Sequence, residues 1–247
     1  MQKNLDIIIP VFNEEKISSL FSLLDKNVST SFKVLLCFDS YEDRTLKFFD
    51  PNEFSFEIEL ILNEGKGVHS AIISGFKKSK ADALLVYPAD DLINTKIIDS
   101  MYKSFDNGHD VVVASRFIRG GTMKGCPLLK NILVRCGSYS LYFLSCIPVM
   151  DASNGFRLFS KTLIDYVQIE SNKGFTYSIE LLVKARRLKL SISEIPAKWE
   201  ERCHGSSNFK LFIWLSEYLK WYFYGLATFW FRKKSSSVKR KLIKKYN

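Results

Sequence analysis

Apolar runs of strand length alternate with amphipathic stretches of helix length along the first half of the chain. This alternation is the strongest constraint on the fold. Strands are predicted at residues 5–11, 33–38, 56–62, 83–87 and 110–114, and helices near residues 14–24, 67–77 and 95–105. The strand runs are rich in Ile, Val and Leu, as expected where helices cover both faces of a parallel sheet. The pattern predicts an α/β fold with a mostly parallel sheet flanked by helices.

The second half of the chain continues the same organisation less regularly. Residues 120–149 are predicted to form a loop followed by a helix. Short strands are predicted near residues 155–160 and 191–195, with a helix near 177–188. In open sheets of this kind, ligands bind at the carboxyl ends of the strands. Four segments follow such strand ends, namely residues 10–15, 39–45, 63–69 and 88–94.

The aromatic segment at residues 209–231 resembles a membrane span until its charges are considered. Glu217 and Lys220 interrupt the run, and a spanning helix needs about 20 apolar residues, so a transmembrane helix is not predicted. The density of Trp, Tyr and Phe favours a helix lying in the headgroup region, and the alternative is a helix packed on the sheet. The predicted organisation is a domain at 1–207, an aromatic amphipathic helix at 208–231 and a flexible basic tail at 232–247.

The net charge of +10 is concentrated at the C-terminus, which argues against nucleic acid as the partner. Without these charges the rest of the chain is close to neutral. The tail is either a solvated end or is attracted to an anionic membrane surface. It has no acidic residue and eight basic ones: Arg232, Lys233, Lys234, Lys239, Arg240, Lys241, Lys244 and Lys245.

The five cysteines are odd in number, and no pair has the spacing of zinc ligands. This pattern predicts reduced, mostly buried thiols in a cytosolic protein. The N-terminal residues do not have the pattern of a signal peptide, because Asp6 precedes a short apolar run. We therefore expect a cytoplasmic protein, peripheral to the inner face of a membrane. Homo-oligomerisation stays open.

The first two strand ends carry polar residues that are weak signals when taken singly. Asn13 and Glu14 follow Pro10 at a helix start, where an N-cap explains them equally well. Asp39 follows the second strand, and its carboxylate suits a ribose or a base N–H. A lone Asp in a turn is more often structural.

The third and fourth strand ends are more specific. Gly65, Lys66 and Gly67 enter a helix, and such a loop lets the backbone approach phosphates. Its spacing fits neither a Walker loop nor a dinucleotide fingerprint. Asp90 and Asp91 directly follow a buried strand, where a divalent ion held by carboxylates and substrate phosphates suits them. A helix N-cap is the alternative for this pair.

The colinear order of these segments resembles family 2 glycosyltransferases, and especially the dolichol- and polyprenyl-phosphate mannosyl- and glucosyltransferases. The first half carries Pro-x-Phe-Asn-Glu, Asp-x-x-x-Asp-x-Thr, Gly-Lys-Gly and the acid pair. The second half carries Ser-Arg-Phe at 115–117, Asp-x-x-x-Gly-Phe-Arg at 151–157 and Gly-Ser-Ser-Asn-Phe-Lys at 205–210. The resemblance covers roughly residues 5–225. It implies a GT-A-type (Rossmann-like) fold and an inverting sugar transfer from a UDP- or GDP-sugar.

The resemblance also implies roles for individual residues. The donor nucleotide would be bound by Pro10, Phe12, Glu14, Asp39, Lys66 and Asp90. Asp90 and Asp91 would hold Mg²⁺ or Mn²⁺. Phosphates of the donor or acceptor would meet Arg116, Arg135, Arg202 and Lys210, since guanidinium forks bind phosphate oxygens in pairs. The catalytic set would be Asp151, Arg116 and Arg202, with Asp151 as base if the acceptor is a hydroxyl.

Two positions depart from the family pattern. Phe38 stands where the family usually has the first of two successive acids, and Pro88 stands where it has the first Asp of Asp-x-Asp. Either the metal shell uses Asp90 and Asp91 with a neighbour such as Asn94, or metal dependence is weakened. Arg157 and Glu180 are interpreted either as a buried structural pair or as donor-site residues.

Three functions remain open at this stage. A polyprenyl-phosphate acceptor is favoured because the aromatic helix and basic tail would bring the site to a membrane; a soluble or glycan hydroxyl is the alternative. A non-catalytic nucleotide-sugar-binding protein is the second class. A sugar-phosphate nucleotidyltransferase is disfavoured, since residues 11–14 replace the Gly-rich loop that those enzymes carry after the first strand.

Overall fold

The computed structural model describes residues 4–200 and 211–241. The strands are β1 (Leu5–Pro10), β2 (Phe32–Phe38), β3 (Glu57–Leu62), β4 (Ala83–Val86), β5 (Val111–Ser115), β6 (Thr122–Lys124), β7 (Arg157–Ser160), β8 (Ile192–Pro196) and β9 (Lys198–Glu200). The helices are α1 (Ile17–Asn27), α2 (Val68–Lys78), α3 (Ile98–Asp106), α4 (Leu128–Ser145), α5 (Lys161–Tyr166), α6 (Thr176–Arg187) and α7 (Leu211–Trp230).

Seven strands form one sheet in the order β3-β2-β1-β4-β7-β5-β8. All neighbouring pairs are parallel except those of β7, which runs antiparallel to both β4 and β5. A second, two-stranded sheet pairs β6 with β9 in parallel. The carboxyl ends of β1, β2, β3 and β4 therefore meet at one edge of the main sheet, as the sequence predicts.

The sheet is covered on both faces, and β1 shows why its sequence is continuously apolar. Ile8 packs into the hydrophobic cluster with α2 and α6, whereas Ile7 and Ile9 pack into the cluster on the other face with α1 and α3. Helix α2 lies so close to the sheet that a side chain at Gly75 would meet Ile8 at 2.6 Å. A glycine is required there by close packing.

The prediction of a mostly parallel sheet flanked by helices is confirmed. The five early strands and three early helices lie within a few residues of their predicted bounds. The short strands at β6 and β9 and the helix α5 were not predicted. Both β6 and β9 have three residues, which is too short for a periodic pattern to be recognised.

Helix α7 lies against α4 and α6, and its own sequence shows which side is buried. Trp221 is almost completely buried, and a side chain at Gly225 would come within 3.1 Å of Leu141 and Val183. The opposite side exposes Leu219 and Phe223. The helix is thus packed on the body and exposes an apolar side at the same time. No helix of the described residues is both long and apolar enough to cross a membrane.

Residues 235–241 differ from the solvated tail that the sequence predicts from Arg232 onward. Val238 is buried, and Arg240 pairs with Val167 in an antiparallel bridge. Lys239 forms an ion pair with Glu170 at 2.5 Å. Charge alone suggested a flexible end, but the buried Val238 and the ion pair with the partly buried Glu170 hold this segment against the rest of the protein. The last six residues lie outside the described part of the chain.

The prediction of mostly buried thiols is wrong for part of the set. None of the four described cysteines forms a disulfide with another described residue. Cys37 is buried, whereas Cys136 and Cys146 are exposed on α4 and at its end. Because α4 packs by only one side, cysteines on its outer side remain in contact with solvent.

Candidate active site

The loops after β1 and β2 are joined by side chains of the second loop. Asp43 accepts hydrogen bonds from the backbone N–H groups of Asn13 at 3.0 Å and Thr45 at 2.9 Å. The Thr45 hydroxyl accepts one from the backbone N–H of Glu14 at 2.8 Å. Asn13 has a left-handed backbone, with φ of 52°, which Asn tolerates better than most residues. No individual role was predicted for Asp43 or Thr45, although both belong to the Asp-x-x-x-Asp-x-Thr motif.

The nucleotide-binding residues predicted on the first loop line its outer side. Pro10 ends β1 beside Cys37 of β2. Phe12 is 71% exposed, so its ring is open to a ligand. Glu14 is half-buried at the start of the segment leading into α1. The three residues are therefore close in the chain and face the carboxyl edge of the sheet.

Asp39 organises the loop that precedes α2. One carboxylate oxygen accepts a hydrogen bond from the Asn63 side chain at 2.7 Å, and the other accepts one from the backbone N–H of Gly67 at 2.8 Å. Gly67 has φ of 86°, a conformation that favours glycine. Each oxygen keeps a further lone pair for a ligand. Lys66 is exposed on this loop, next to the residue that Asp39 holds.

Asp90 and Asp91 have different surroundings at the end of β4. The two Asp91 oxygens accept hydrogen bonds from the backbone N–H groups of Ile93 and Asn94, at 2.9 and 3.0 Å, and from the Asn94 amide at 2.6 Å. Burial raises the pKa of the Asp91 carboxyl, and these hydrogen bonds offset only part of that rise. Asp90 is exposed. Of the pair, Asp90 has the carboxylate that a ligand reaches more easily.

Asn94 extends this turn to the second sheet. Its amide donates to the Lys198 carbonyl at 2.7 Å and its oxygen accepts from the Lys198 N–H at 2.8 Å. Asp91 therefore stabilises a link between β4 and β9. The Tyr87 hydroxyl donates to the Asp91 carbonyl at 2.9 Å and fixes the same turn from beneath.

The donor set fits a divalent ion that takes most of its ligands from elsewhere. The described residues contain no group of three or more His, Cys, Asp or Glu side chains placed to hold a metal. Mg²⁺ binds through one or two carboxylates, substrate phosphates and water, so an exposed Asp90 with a diphosphate meets its requirements. The role of Asp91 as a metal ligand stays a prediction, beside the structural role just described.

Arg116 and Asp151 form a buried ion pair. Nε and Nη2 of Arg116 donate to the two Asp151 oxygens at 2.7 and 2.8 Å, and the Arg116 backbone N–H donates at 3.0 Å. Asp151 is 0% exposed. Burial alone would raise the pKa of its carboxyl, but the Arg116 charge and hydrogen bonds outweigh this effect and lower it. A buried, paired carboxylate of lowered pKa favours a positioning role over that of a general base.

Arg135 reaches the same corner from α4. Its guanidinium lies 4.6 Å from the centre of the Phe117 ring, and that of Arg116 lies 5.1 Å from it. Arg135 donates to the Asn131 side chain at 2.7 Å and the Tyr139 hydroxyl at 3.1 Å. A guanidinium has five N–H groups, so three remain for phosphate oxygens. Thus two predicted phosphate-binding residues share one aromatic ring.

Of the four other predicted residues, the structure describes two. Arg202 and Lys210 lie outside the described residues. Arg157 and Glu180 are both buried but are not a pair. Glu180 forms its ion pair with Lys184 at 2.6 Å, and Arg157 donates to the Asp151 carbonyl at 3.2 Å. The correct partner of Glu180 lies one helical turn away on α6, where charged pairs four residues apart meet.

Comparison with known proteins gives a family match over most of the domain. The model of "Glycosyl transferase family 2" matches residues 6–167. A dolichol-phosphate mannosyltransferase of Pyrococcus furiosus is 26% identical over 83% of this chain, which spans 59% of that protein's length. A polyprenol monophosphomannose synthase of Mycolicibacterium smegmatis is 22% identical over 82% of this chain and 79% of its own.

Solved structures with the same fold include glucosyl-3-phosphoglycerate synthase of Mycobacterium tuberculosis. Its complex with Mn²⁺, UDP and glucosyl-3-phosphoglycerate superposes with a TM-score of 0.65 at 12% identity, over 91% of this chain and 80% of the other. Its complex with Mg²⁺ and UDP has a TM-score of 0.61 at 15% identity, over 97% and 86% of the two chains. At such identity the likeness supports the fold.

Proposed function

Since the chain belongs to glycosyl transferase family 2, we propose that it transfers a sugar from a UDP- or GDP-sugar to a polyprenyl phosphate at a membrane surface. The observation that carries the proposal is the position of α4. The outer side of this helix is an exposed apolar surface, and Arg135 lies at its edge, beside Arg116. An acceptor with an anionic head and a long apolar tail matches this edge and the surface next to it.

The exposed apolar surface is shared by two helices, and we call it the α4–α7 face. The helices lie side by side, because Tyr222 donates to Ser140 at 3.0 Å and Trp230 donates to the Leu144 carbonyl at 2.9 Å. Contiguous exposed apolar surfaces rimmed by polar residues mark interaction sites. The face comprises Leu128, Leu129, Ile132, Leu133, Phe143 and Leu144 of α4 and Leu215, Leu219, Phe223 and Trp230 of α7.

The occupant that suits this face is the interfacial region of a bilayer. The apolar residues that α4 contributes to the α4–α7 face lie on one side of the helix by their spacing. Lys130 and Arg135 lie at the edges of that side. Lys220 lies at the edge of the α7 side. Apolar and aromatic side chains flanked by basic ones are typical of helices that lie in the headgroup layer of an anionic membrane. We therefore propose a protein peripheral to the inner, cytoplasmic face of a membrane.

The donor would bind at the carboxyl edge of the sheet. Asp39 has lone pairs left for the ribose or base, and Phe12 and Lys66 are exposed on the adjoining loops. Asp90 and the donor diphosphate would hold Mg²⁺ or Mn²⁺, which when bound stabilises the charge that develops on the leaving diphosphate. Pro10 and Glu14 would complete the nucleoside side of the site.

The acceptor phosphate would meet Arg135 and Arg116. In the transfer, an acceptor phosphate oxygen forms a bond to the anomeric carbon while the bond from that carbon to the donor diphosphate breaks. The diphosphate leaves with the electron pair, and direct displacement inverts the anomeric centre. A lipid phosphate is already ionised and needs no base. This agrees with Asp151 being buried and paired with Arg116.

The acceptor class is tested with the full chain, labelled UDP- and GDP-sugars and Mn²⁺. The acceptors compared are a polyprenyl phosphate, the corresponding polyprenol and a soluble glycan. We expect labelled sugar in the lipid extract only with the phosphate. Transfer to polyprenol or glycan at the same rate would overturn the lipid-phosphate assignment. Metal-dependent nucleotide binding without any transfer would make the protein a binding module instead.

The role of Arg135 is tested with Arg135→Ala and a control, Lys26→Ala, an exposed cation on α1. Loss of a charge-assisted contact to phosphate costs about 1.5–3 kcal/mol, so the KM for polyprenyl phosphate should rise about tenfold or more. The KM for the nucleotide sugar should stay the same in both variants. An unchanged acceptor KM in Arg135→Ala would remove this residue from the acceptor site.

A further inference from the structure

An open basic cleft lies at the ends of α6 and α7, away from the candidate active site. Its volume is about 450 Å³. The chain leaves α6 through Lys189, with φ of 62°, and leaves α7 through Arg232, with φ of 45°, so both helix ends turn beside the cleft. The cleft is lined by six basic residues, Arg186, Arg187, Lys189, Arg232, Lys233 and Lys234.

These six charges are not neutralised by the described residues. None of the six forms an ion pair with a described carboxylate, and the residues lining the cleft include no Asp or Glu. A helix C-terminus carries roughly half a negative charge, so the ends of α6 and α7 together offset about one of the six. By contrast, the nearby Lys184 and Lys239 are paired with Glu180 and Glu170. The cleft keeps a concentrated positive charge.

Arg187 shows that the cleft is built from fixed groups. It is 6% exposed and donates to the Thr228 hydroxyl at 3.0 Å, the Tyr224 carbonyl at 2.8 Å and the Ser237 hydroxyl at 3.2 Å. All three acceptors are neutral, and burial lowers the pKa of this guanidinium. The hydroxyl of Ser235, which also lines the cleft, donates to the Arg187 carbonyl at 2.9 Å.

The cleft opens beside one end of the α4–α7 face. Phe229 and Ser145 line it, and Phe229 is half exposed. The next residues, Trp230 and Leu144, belong to the face and are hydrogen-bonded to each other. A ligand could therefore place an anionic group in the cleft and apolar chains on the adjoining surface.

We propose that this cleft binds the phosphate headgroup of an anionic phospholipid whose acyl chains lie against the end of the α4–α7 face. The site is separate from the acceptor corner at Arg135, because Ser145 lies ten residues further along α4, about 15 Å at 1.5 Å per residue. The ligand chemistry is a phosphate group joined to an apolar tail. A bound lipid here would hold the protein on an anionic bilayer independently of the sugar transfer.

The test compares the full chain with two double variants that change the net charge equally. K189E/K233E reverses two exposed cations of the cleft, and K26E/K103E reverses two exposed cations on α1 and α3. Partition is measured on phosphatidylcholine vesicles with and without phosphatidylglycerol. Because basic residues near an anionic surface strengthen membrane binding, the cleft variant should bind the anionic vesicles at least about tenfold more weakly than the control variant. Equal losses in the two variants would overturn the proposal.

Two further measurements distinguish a lipid phosphate from a free phosphate, and the cleft proposal from the proposed sugar transfer. Inorganic phosphate and pyrophosphate are added in thermal-shift experiments without vesicles. Stabilisation by either anion that K189E/K233E abolishes, with vesicle binding unchanged, would assign the cleft to a free anion and overturn the lipid assignment. Stabilisation by UDP with Mn²⁺ should be the same in all three proteins. Its absence in all three would count against the sugar transfer and leave the cleft result intact.

Discussion

Asp90 and Asp91 are adjacent in sequence but have different surroundings in the structure. Asp91 accepts three hydrogen bonds from Ile93 and Asn94, whereas Asp90 is exposed. Asp91→Asn should lower the free energy of unfolding by about 1–3 kcal/mol, because an amide cannot accept all these bonds. Asp90→Asn, at an exposed position, should lower stability less than Asp91→Asn does and should abolish stabilisation by UDP with Mn²⁺.

Both effects are measured by denaturant unfolding and by thermal shift with UDP, with and without Mn²⁺. The two isosteric variants serve as controls for each other. If Asp91→Asn removes the metal-dependent shift and leaves stability unchanged, Asp91 is the metal ligand and the structural interpretation of its turn is wrong.

The buried Arg116–Asp151 pair should make stability depend on pH in a defined direction. Removing one member of a buried pair costs about 3–5 kcal/mol, so Asp151→Asn should be strongly destabilised at neutral pH. The pKa of Asp151 is lowered in the folded state. Its contribution is therefore fully present above the ordinary carboxyl pKa of about 3.9, and is lost as pH falls through the lowered folded-state value.

Urea unfolding of wild type and Asp151→Asn from neutral to acid pH tests this linkage. The difference in unfolding free energy should be constant down to about pH 5 and should shrink below about pH 4. Ser153→Ala removes a hydroxyl that contacts both members of the pair but keeps both charges, and should show no such pH dependence. A difference that is flat at acid pH would contradict the lowered pKa.

The sequence predicted the positions of these residues better than their contacts. The strand-end rule brought Asp39 and Asp90 to one edge, because parallel strands meet there. The rule could not predict the hydrogen bonds of the Asp91 carboxylate. Its turn depends on the contact of Asn94 with Lys198, which lies 104 residues further along the chain. The same limit applies to the base role predicted for Asp151. The motif gives the position of this residue, but its ion pair with Arg116 is visible only in the structure.

Helix α4 was predicted from the sequence, but its exposed apolar side was not recognised. Apolar residues occur on both sides of α4, so periodicity alone cannot tell which side is exposed. Leu141 is buried under α7, whereas Leu128 is 76% exposed. The partner that decides between them is α7, which the chain supplies more than sixty residues later. The two helices together, and not the aromatic helix alone, form the surface proposed to meet the membrane.

The membrane role of this surface is tested by I132S/L133S, two substitutions on α4. The control is L60S/L62S on the edge strand β3, where the side chains are 45% and 46% exposed, against 48% and 47% on α4. Burying one such side chain is worth about 1.5–3 kcal/mol, so the α4 variant should bind phosphatidylcholine vesicles at least about tenfold more weakly. The control should bind like wild type. Equal weakening would show that general apolar exposure, and not this face, drives binding.

The sequence predicted the central sheet but not the order of its strands. Alternating strands and helices imply parallel pairing, which holds for β1 to β4. The antiparallel β7 lies between β4 and β5 and could not be foreseen, because the long segment with β6 and α4 precedes it. That insertion has a consequence for the site: it carries Arg135 back to Arg116, which directly follows β5.

Residues 235–241 pack against the rest of the protein, so truncations that remove or keep them should have different effects. Removing residues 235–247 deletes the buried Val238, the Lys239–Glu170 ion pair and the bridge to Val167. We expect this to lower the free energy of unfolding by about 2–4 kcal/mol, since burial of Val alone is worth about 1.5–3 kcal/mol. Removing only residues 242–247 keeps these contacts and should therefore lower stability less than the longer truncation does. Stability is measured by urea unfolding, and UDP binding with Mn²⁺ should survive the shorter truncation. Equal stability of the two truncated proteins would mean that the packed segment contributes nothing to the fold.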